Sequence, residues 1–346
     1  MNPEQQEASL SSEPDLPPEE RRASLERVLA LSSEPRAQKH VIALKFGGSS
    51  LLGAERMIHT ARLVETECET RPVTVVVSAM RGVTDRLLRV GQWLQERRNQ
   101  RAHQEAEAIA HLHRATLNDL QLPPQEHERV SEELALLTRD LLHEAPLRRQ
   151  VEVNDAFLDR LASFGERYVS RLFAAVLGKI GVTAVPVASS DFVVTCDTFR
   201  DAQPHLEHTR RRGREVLLPL LEAGIVPVVT GFIGATQDGR ITTLGRNSSD
   251  FSGALIAHVV DAEELVIWTD VDGIYTANPH ETPEAKLLHE LSYDEAHALA
   301  ASGAKVLHPR VLPLAARTEM TVWVKNTFKP YTRGTRIGLQ QNGGLA

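Results

Sequence analysis

The stretch Leu44-Lys45-Phe46-Gly47-Gly48-Ser49-Ser50 follows directly on an apolar run at 41–43 and precedes a helical pattern. A buried strand that runs into two glycines and two hydroxyls predicts a strand-to-helix turn, where free backbone N–H groups can hold an anion. Lys45 adds a positive charge at this turn. Two glycines after a strand are equally typical of a simple tight turn, so the stretch alone leaves both interpretations open. It is not the phosphate loop of P-loop NTPases, because the lysine precedes the glycines.

The composition restricts the class of protein. The chain has 346 residues, 42% of them hydrophobic, and a formal net charge of −7, which is typical of a globular protein and disfavours a nucleic-acid partner. Cys68 and Cys196 are far apart and show no metal-ligand spacing, so neither a disulfide nor a zinc site is predicted, and a reducing cytoplasm is the expected location. No apolar run approaches the roughly 18 residues that a membrane span requires, so no membrane contact is expected.

The two ends of the chain differ in composition from the middle. Residues 1–39 are rich in Glu, Ser and Pro, which predicts a disordered N-terminal extension. Residues 338–346 are interpreted as a polar tail. The length of the chain allows two domains or one large two-lobed α/β unit.

Short apolar runs alternate with helical patterns from residue 41 onward. Runs typical of strands buried on both faces occupy 73–77, 182–187, 225–229, 265–268 and 321–324. Helical spacing occurs at 54–67, 155–177, 206–222, 250–260 and 292–301, the last opened by the capping-box pair Ser292 and Glu295. This alternation predicts an α/β fold, a three-layer α/β/α sandwich with a largely parallel central sheet.

The segment from about residue 85 to 152 carries no strand pattern. It is polar and helical, and we expect a solvated helical hairpin. His111 and His113 would fall on different sides of a helix, which disfavours a metal site there.

Polar side chains follow the predicted strands where ligands bind in open α/β sheets. Ser78 ends the second predicted strand and Thr84 stands six residues later, although both hydroxyls are also typical of loops and helix caps. Gly165 lies within a predicted helix, which suggests close approach of another group to the backbone. Glu166 would then be placed to bind an ammonium group.

A charged cluster precedes the helical pattern at 250–260. Arg246 is the residue type expected for bidentate recognition of a carboxylate, and Ser248 and Ser249 add hydroxyls at the helix N-terminus. Asp250 is either a helix-capping carboxylate or a group that orients a lysine or a magnesium-bound water. The cluster suits an anionic ligand.

Further residues favour a nucleotide site. Thr269, Asp270 and Tyr275 follow the strongest predicted strand, where they could contact a base or a ribose. Lys305 adds a second lysine on a glycine-bearing loop. Two lysines without a Walker signature favour phosphoryl transfer by positioning and charge.

Five motifs together closely resemble the aspartate kinases of the amino-acid kinase fold, over about residues 41–337. These motifs are Lys45-Phe46-Gly47-Gly48-Ser49-Ser50, Ser163-Phe164-Gly165-Glu166, Leu244-Gly245-Arg246-Asn247-Ser248-Ser249-Asp250, Trp268-Thr269-Asp270-Val271-Asp272-Gly273-Ile274-Tyr275 and Gly303-Ala304-Lys305-Val306-Leu307-His308-Pro309. The residues in these motifs are most similar to those of the kinase portion of bifunctional aspartokinase/homoserine dehydrogenases. The resemblance implies ATP-dependent phosphorylation of the β-carboxylate of L-aspartate, the first step toward lysine, threonine and methionine.

The resemblance also implies roles for individual residues. Lys45 and Asp250 would be catalytic, and Mg²⁺ would bridge the ATP phosphates without a protein ligand that we can name. The substrate-binding set is Ser78, Thr84, Glu166, Arg246 and Ser249; the phosphate-binding set is Gly47, Gly48 and Ser49; the nucleotide-binding set is Thr269, Asp270, Tyr275, His280 and Lys305. The catalytic domain would cover 40–337, with an aspartate-binding lobe at about 40–224 and a nucleotide-binding lobe at about 225–337.

Three features depart from the family pattern. Ser248 stands where glycine is usual, which raises the question whether that position needs a positive φ. His280 stands where many members have an arginine on the ATP phosphates, so weaker ATP binding is expected. The sequence contains no paired regulatory domains after the kinase core, which leaves three expectations: an unregulated stand-alone kinase, a fragment, or regulation by a separate chain.

Alternative functions stay open at this point. One is another amino-acid kinase with a glutamate-type substrate, and another is a catalytically weakened homologue that acts as a binding or regulatory partner. A dinucleotide-dependent dehydrogenase is disfavoured, because no Gly-x-Gly-x-x-Gly follows a predicted strand. Besides L-aspartate and ATP, a homodimer and a separate regulatory or downstream enzyme chain are candidate partners.

Overall fold

The structure is a computed structural model that describes residues 40–277, 282, 284–301 and 307–339. The predicted N-terminal extension and most of the predicted polar tail lie outside the described residues. His280 and Lys305, two of the predicted nucleotide-binding residues, also lie outside them.

Strand β1 (Ile42–Phe46) is an inner strand of an eight-stranded sheet with the order β11-β13-β12-β8-β1-β2-β5-β3. The other strands of this sheet are β2 (Val73–Val77), β3 (Ala184–Val187), β5 (Val226–Thr230), β8 (Glu264–Thr269), β11 (Glu290–Leu291), β12 (Thr321–Asn326) and β13 (Thr335–Ile337). A second, three-stranded sheet consists of β4 (Val194–Thr195), β6 (Ile233–Thr236) and β7 (Ile241–Thr243). A third, two-stranded sheet consists of β9 (Ile274–Tyr275) and β10 (Leu287–Leu288). The five predicted strands correspond to β2, β3, β5, β8 and β12 and are confirmed.

The helices of the described residues flank this sheet. They are α1 (Gly53–Cys68), α2 (Val83–Gln95), α3 (Asn99–Asp119), α4 (Pro124–Glu144), α5 (Asp155–Ala162), α6 (Phe164–Lys179), α7 (Leu206–Glu222), α8 (Ser249–Val259), α9 (Tyr293–Ala301) and α10 (Val311–Thr318). The predicted capping box at the start of α9 is confirmed, because the Ser292 N–H donates to Glu295 Oε2 and the Glu295 N–H donates to Ser292 Oγ.

Alternate residues of β1 face two different hydrophobic cores. Ile42, Leu44 and Phe46 pack with helices α1 to α6. Ala43 packs with α7, α8 and α10 on the other side of the sheet. Successive side chains of a strand point to opposite faces, so a strand buried on both sides needs a helical layer on each. The predicted α/β/α sandwich is confirmed.

The register of the sheet brings three loops together. Strands β2 and β8 flank β1 in parallel, and Phe46 at the end of β1 lies opposite Val77 and Trp268. Strand β12 continues the parallel arrangement, whereas β13 is antiparallel to it. The residues that follow Phe46, Val77 and Trp268 therefore meet at one edge of the sheet, where ligands of open α/β folds bind.

Two predictions about helices need correction. The single helix predicted at 155–177 is divided at Ser163 into α5 and α6, and the Ser163 hydroxyl donates to the carbonyl of Arg160 at 2.7 Å. A serine that bonds to the preceding turn commonly bends a helix. The segment at 85–152 is helical as predicted, but it is not solvated throughout. His113 is fully buried and its ring stacks on that of Tyr168 at 4.3 Å.

Neither Cys68 nor Cys196 forms a disulfide bond within the described residues. None of the helices in the described ranges is long and apolar enough to cross a membrane.

Candidate active site

Lys45 and Asp250 form an ion pair at the carboxyl end of β1. The Lys45 Nζ lies 2.7 Å from Asp250 Oδ1, and the side chains are 7% and 23% exposed. Asp250 belongs to the first turn of α8, and the stem of Lys45 lies against Gly253 of the same helix. A buried ammonium group is costly unless it is paired, so Asp250 stabilises the Lys45 side chain in this position.

The two glycines after β1 form a tightly packed turn. The Gly47 N–H donates to the Trp268 carbonyl at 3.1 Å, and the Arg81 N–H donates to the Gly48 carbonyl at 3.1 Å. A Cβ at Gly48 would overlap the Ala79 carbonyl oxygen and lie 2.9 Å from the Arg81 nitrogen. Only glycine fits there. The Ser49 carbonyl accepts a hydrogen bond from Arg56 Nη1 at 2.8 Å, which fixes the end of the turn.

Two buried, unsatisfied side-chain oxygens lie beside this turn. Glu166 Oε1 accepts a hydrogen bond from the Ala79 N–H at 3.1 Å. Glu166 Oε2 and Ser78 Oγ are buried and have no hydrogen-bond partner among the described residues. Burial raises the pKa of Glu166 to about 8, and the bond from Ala79 only partly offsets it. Buried polar atoms are normally satisfied, so these two oxygens point to a polar ligand.

The close approach predicted at Gly165 is present, although its neighbour was not foreseen. A Cβ there would lie 2.5 Å from the Cβ of Ala79. The first turn of α6, which carries Glu166, is thus pressed against the end of β2.

Arg246 stands on the loop between β7 and α8. Its Nη2 donates to Asp85 Oδ1 at 2.7 Å, with side chains 74% and 62% exposed. Gly245 and Asn247 have positive φ angles of 96° and 61°, respectively. Ser248 has a φ of −79°, so the position needs no glycine, and the question raised by the sequence is answered.

The remaining predicted substrate-binding hydroxyls lie nearby. Thr84 is half-buried in the first turn of α2, next to Asp85. Ser249 begins α8 and lies beside Gly231, at the end of β5. The hydroxyl of Ser248 is buried and has no hydrogen-bond partner in the described part of the chain.

The end of β8 provides the other side of the site. Thr269 Oγ1 donates to Asp270 Oδ1 at 3.3 Å, and Arg81 Nη1 reaches within 3.7 Å of Asp270 Oδ2. Tyr275 is half-buried in the β9–β10 hairpin. Asp272 is engaged elsewhere, because it accepts hydrogen bonds from Asn326 and Lys329 that hold its pKa below the usual range.

The structure adds residues that the sequence patterns did not single out. Arg81 is a cation between the glycine turn and the β8 end. Asp159 is a buried carboxylate that reaches the loop of Arg246, and Arg310 contacts the same loop from α10. A carboxylate between Leu158 and Leu161 in a helical pattern was the only available signal for Asp159.

Within residues 40–277, 282, 284–301 and 307–339, no three His, Cys, Asp or Glu side chains converge to hold a metal ion. The carboxylates of Asp250 and Asp270 are oxygen donors of the type that Mg²⁺ takes, usually together with substrate phosphates and water. This donor set fits a magnesium ion that enters with a nucleotide.

Comparisons with known proteins show the family to which this chain belongs. The model of the Amino acid kinase family matches residues 40–326. Lysine-sensitive aspartokinase 3 of Escherichia coli (strain K12) is 33% identical over 297 residues, which are 86% of this chain and 64% of that protein. The chloroplastic bifunctional aspartokinase/homoserine dehydrogenase 1 of Arabidopsis thaliana is 32% identical over 298 residues, 85% of this chain and 32% of that protein.

A solved structure shows the same fold. E. coli aspartokinase III in complex with aspartate and ADP, in its R-state, superposes with a TM-score of 0.78 at 32% identity, covering 88% of this chain and 65% of that one. This chain thus spans less than two thirds of the length of each of these relatives. It belongs to the amino acid kinase family and is homologous to the aspartokinases within it.

Proposed function

We propose that this chain transfers the γ-phosphoryl group of ATP to the β-carboxylate of L-aspartate, the first step toward lysine, threonine and methionine. The observation that carries the proposal is the position of the Lys45–Asp250 pair. The glycine turn follows Lys45 directly in the chain, and the unsatisfied oxygens of Ser78 and Glu166 lie next to that turn, around Ala79. The aspartokinase III structure with aspartate and ADP supports both substrates.

Two charges would recognise the amino-acid end of the substrate. Glu166 would accept the ammonium group, because its Oε2 is buried and has no partner among the described residues. Arg246 would bind the α-carboxylate with its planar guanidinium. It must leave Asp85 to do so, and this exchange is easy because an exposed ion pair contributes only about 0 to 1 kcal/mol. Ser78, Thr84 and Ser249 would add hydroxyl contacts.

The transfer would proceed by in-line displacement. A β-carboxylate oxygen of aspartate attacks the γ-phosphorus, the bond from phosphorus to the β,γ-bridging oxygen breaks, and ADP leaves. The carboxylate is already ionised, so no general base is needed. Lys45 would stabilise the charge on the transferring group, and Asp250 would hold the Lys45 ammonium in place. The N–H groups of Gly48 and Ser49 would hold phosphate oxygens, whereas the predicted contact of Gly47 would first require its N–H to leave the Trp268 carbonyl.

The nucleotide would lie against the end of β8. Thr269, Asp270 and Tyr275 would contact it, together with His280 and Lys305 from outside the described residues. The chemistry that Mg²⁺ would supply when bound with ATP is positive charge that offsets the charge of the phosphates. Asp250 and Asp270 are the described carboxylates that could hold it through water.

The test is ADP release by the purified chain with ATP and magnesium, run separately with L-aspartate, L-glutamate and N-acetyl-L-glutamate. We expect release only with L-aspartate. Hydroxylamine, which traps acyl phosphates as hydroxamates, should capture the product. Release that depends on a glutamate-type substrate would establish the alternative kinase function. Tight binding of aspartate and ATP without turnover would instead indicate a binding homologue.

A further inference from the structure

Asp159 is a fully buried carboxylate that bonds to two distant segments. Its Oδ2 accepts hydrogen bonds from the N–H of Thr243 at 2.8 Å and from the N–H of Arg200 at 2.9 Å. Its Oδ1 accepts the Thr243 hydroxyl at 2.7 Å, and the Arg200 Nε is 3.8 Å from the same oxygen. Three hydrogen bonds to a buried charge need strict geometry, because a buried polar group that loses its partner is costly.

Thr243 is the last residue of β7, and Arg246 stands three residues further along the chain. The loop between them is held by two further hydrogen bonds to its backbone carbonyls, at residues 243 and 244. The Thr243 carbonyl accepts the Ala202 N–H at 2.9 Å, and the Leu244 carbonyl accepts Arg310 Nη1 at 3.1 Å. The exposed guanidinium of Arg246 thus stands on a backbone that Asp159 helps to place.

The backbone of Asp159 is connected to Glu166 through Ser163. The Asp159 carbonyl accepts the Ser163 N–H at 3.1 Å, and Ser163 joins α5 to α6. Glu166 lies in the first turn of α6. One buried side chain therefore connects the helix pair that carries the carboxylate to the loop that carries the guanidinium.

We infer that Asp159 is a positioning residue that sets the placement of Arg246 relative to Glu166, and so controls affinity for the amino-acid substrate. This inference rests on the proposed function. The ammonium and the α-carboxylate of an amino acid are attached to one carbon atom, so the two groups that bind them must keep a fixed separation. A displacement of about 1 Å in such a site can cost about 100-fold in rate. Among the described residues, Thr269, Asp270 and Tyr275 on the nucleotide side form no hydrogen bond with Asp159.

Asp159→Asn tests whether the hydrogen bonds of Asp159 or its negative charge are required, because it removes the charge and can keep the hydrogen bonds. In Asp159→Asn, the amide oxygen can accept from the two backbone N–H groups, and the amide NH₂ can donate to the Thr243 hydroxyl. All three bonds can therefore be kept. In Asp159→Ala, all three donors lose their acceptor. Asp155→Ala is the matched control, because it removes a 69% exposed carboxylate from the same helix, 3.8 Å from Arg200.

The measurement is the KM for aspartate and for ATP in folded variants. For Asp159→Ala we expect the KM for aspartate to rise about 10- to 100-fold while the KM for ATP changes by less than about threefold. Asp159→Asn and Asp155→Ala should stay within about threefold of the wild type on both constants. An equal rise in both KM values, or a loss in Asp159→Asn as large as in Asp159→Ala, would overturn the inference.

Two further measurements keep the test decisive. If Asp159→Ala does not fold, Thr243→Val removes the hydroxyl bond and keeps the N–H bond. It should raise the KM for aspartate alone, and an unchanged KM would overturn the inference. Hydrogen exchange separates this inference from the proposed function. Even if the wild type lacks aspartate-dependent turnover, residues 243–248 should exchange faster in either variant than in the wild type, and equal rates would refute the positioning role.

Discussion

The Nζ of Lys45 lies 2.7 Å from Oδ1 of Asp250, and this pair ties the carboxyl end of β1 to the first turn of α8. The lysine is more deeply buried than the aspartate. Its ammonium group thus faces the site from within the sheet, held by one carboxylate and the adjacent glycine turn.

Replacement of Lys45 by alanine should lower kcat by at least about 100-fold, the loss typical of removing one preorganised charge-stabilising group. The measurement is ADP release at saturating aspartate and ATP. Lys179→Ala is the control. Lys179 is the last residue of α6 and donates to the carbonyl of Leu120, so this variant removes a lysine that is not part of the proposed site. Near-normal turnover in folded Lys45→Ala would contradict the assignment of Lys45.

Aspartate binding should take a proton off Glu166 at neutral pH. The pKa of Glu166 is raised to about 8 by burial, so the free site is mostly protonated below that pH. An ammonium ligand favours the carboxylate, so apparent affinity should increase with pH, by up to about tenfold per pH unit, and level off above about pH 8.

Calorimetry in two buffers of different ionisation enthalpy measures this proton release. Glu166→Gln is the control, since an amide cannot titrate; it should bind aspartate weakly and without pH dependence. Affinity of the wild type that is constant between about pH 6 and pH 8 would show that Glu166 does not bind the ammonium group.

His113 should make the protein sensitive to acid. Burial lowers its pKa from 6.5 to about 4, so between these values the unfolded chain binds the proton and the folded chain does not. Stability is therefore lost as pH falls, by about 2 kcal/mol between pH 7 and pH 5. Urea unfolding at both pH values measures this loss.

His113→Phe keeps an aromatic ring beside Tyr168 and removes the titrating group. Its unfolding free energy should fall less than that of the wild type over the same pH range. The exposed His111 supplies the control, since His111→Gln should keep the wild-type pH dependence. Equal pH dependence in His113→Phe and the wild type would exclude His113 as the source.

Two glycine-to-alanine changes should have opposite effects. Gly48→Ala would push a methyl group into the Ala79 carbonyl and distort the turn, so activity or folding should be lost. Gly178 is an exposed residue of α6, and a Cβ there would meet no other atom. Gly178→Ala should therefore raise the free energy of unfolding by about 0.5 to 1 kcal/mol. Thermal unfolding and turnover of both variants provide the measurement. An active, normally stable Gly48→Ala would show that the turn can yield.

The sequence by itself determined the fold class and the strands β2, β3, β5, β8 and β12 of the central sheet. Apolar runs bounded by helical patterns predicted the parallel sheet and its two helical layers, because burial on both faces leaves a continuous apolar run in inner strands such as β2 and β5. The motifs around Lys45, Glu166 and Arg246 indicated the family, because each is a short continuous stretch that can be recognised without the tertiary structure. The division of the helix at Ser163 was missed, because one serine that bonds to the preceding turn leaves no change in the apolar period.

Only the tertiary structure decided which of these residues meet. The pairing of Lys45 with Asp250 depends on the strand order that sets α8 behind β1, and no local pattern reports that order. The negative φ of Ser248 depends on how Gly245 and Asn247 take up the turn around it. The contact of Asp159 with Thr243 joins segments far apart in the chain. Periodicity records which face of an element is buried, whereas partners across the core follow from topology and register.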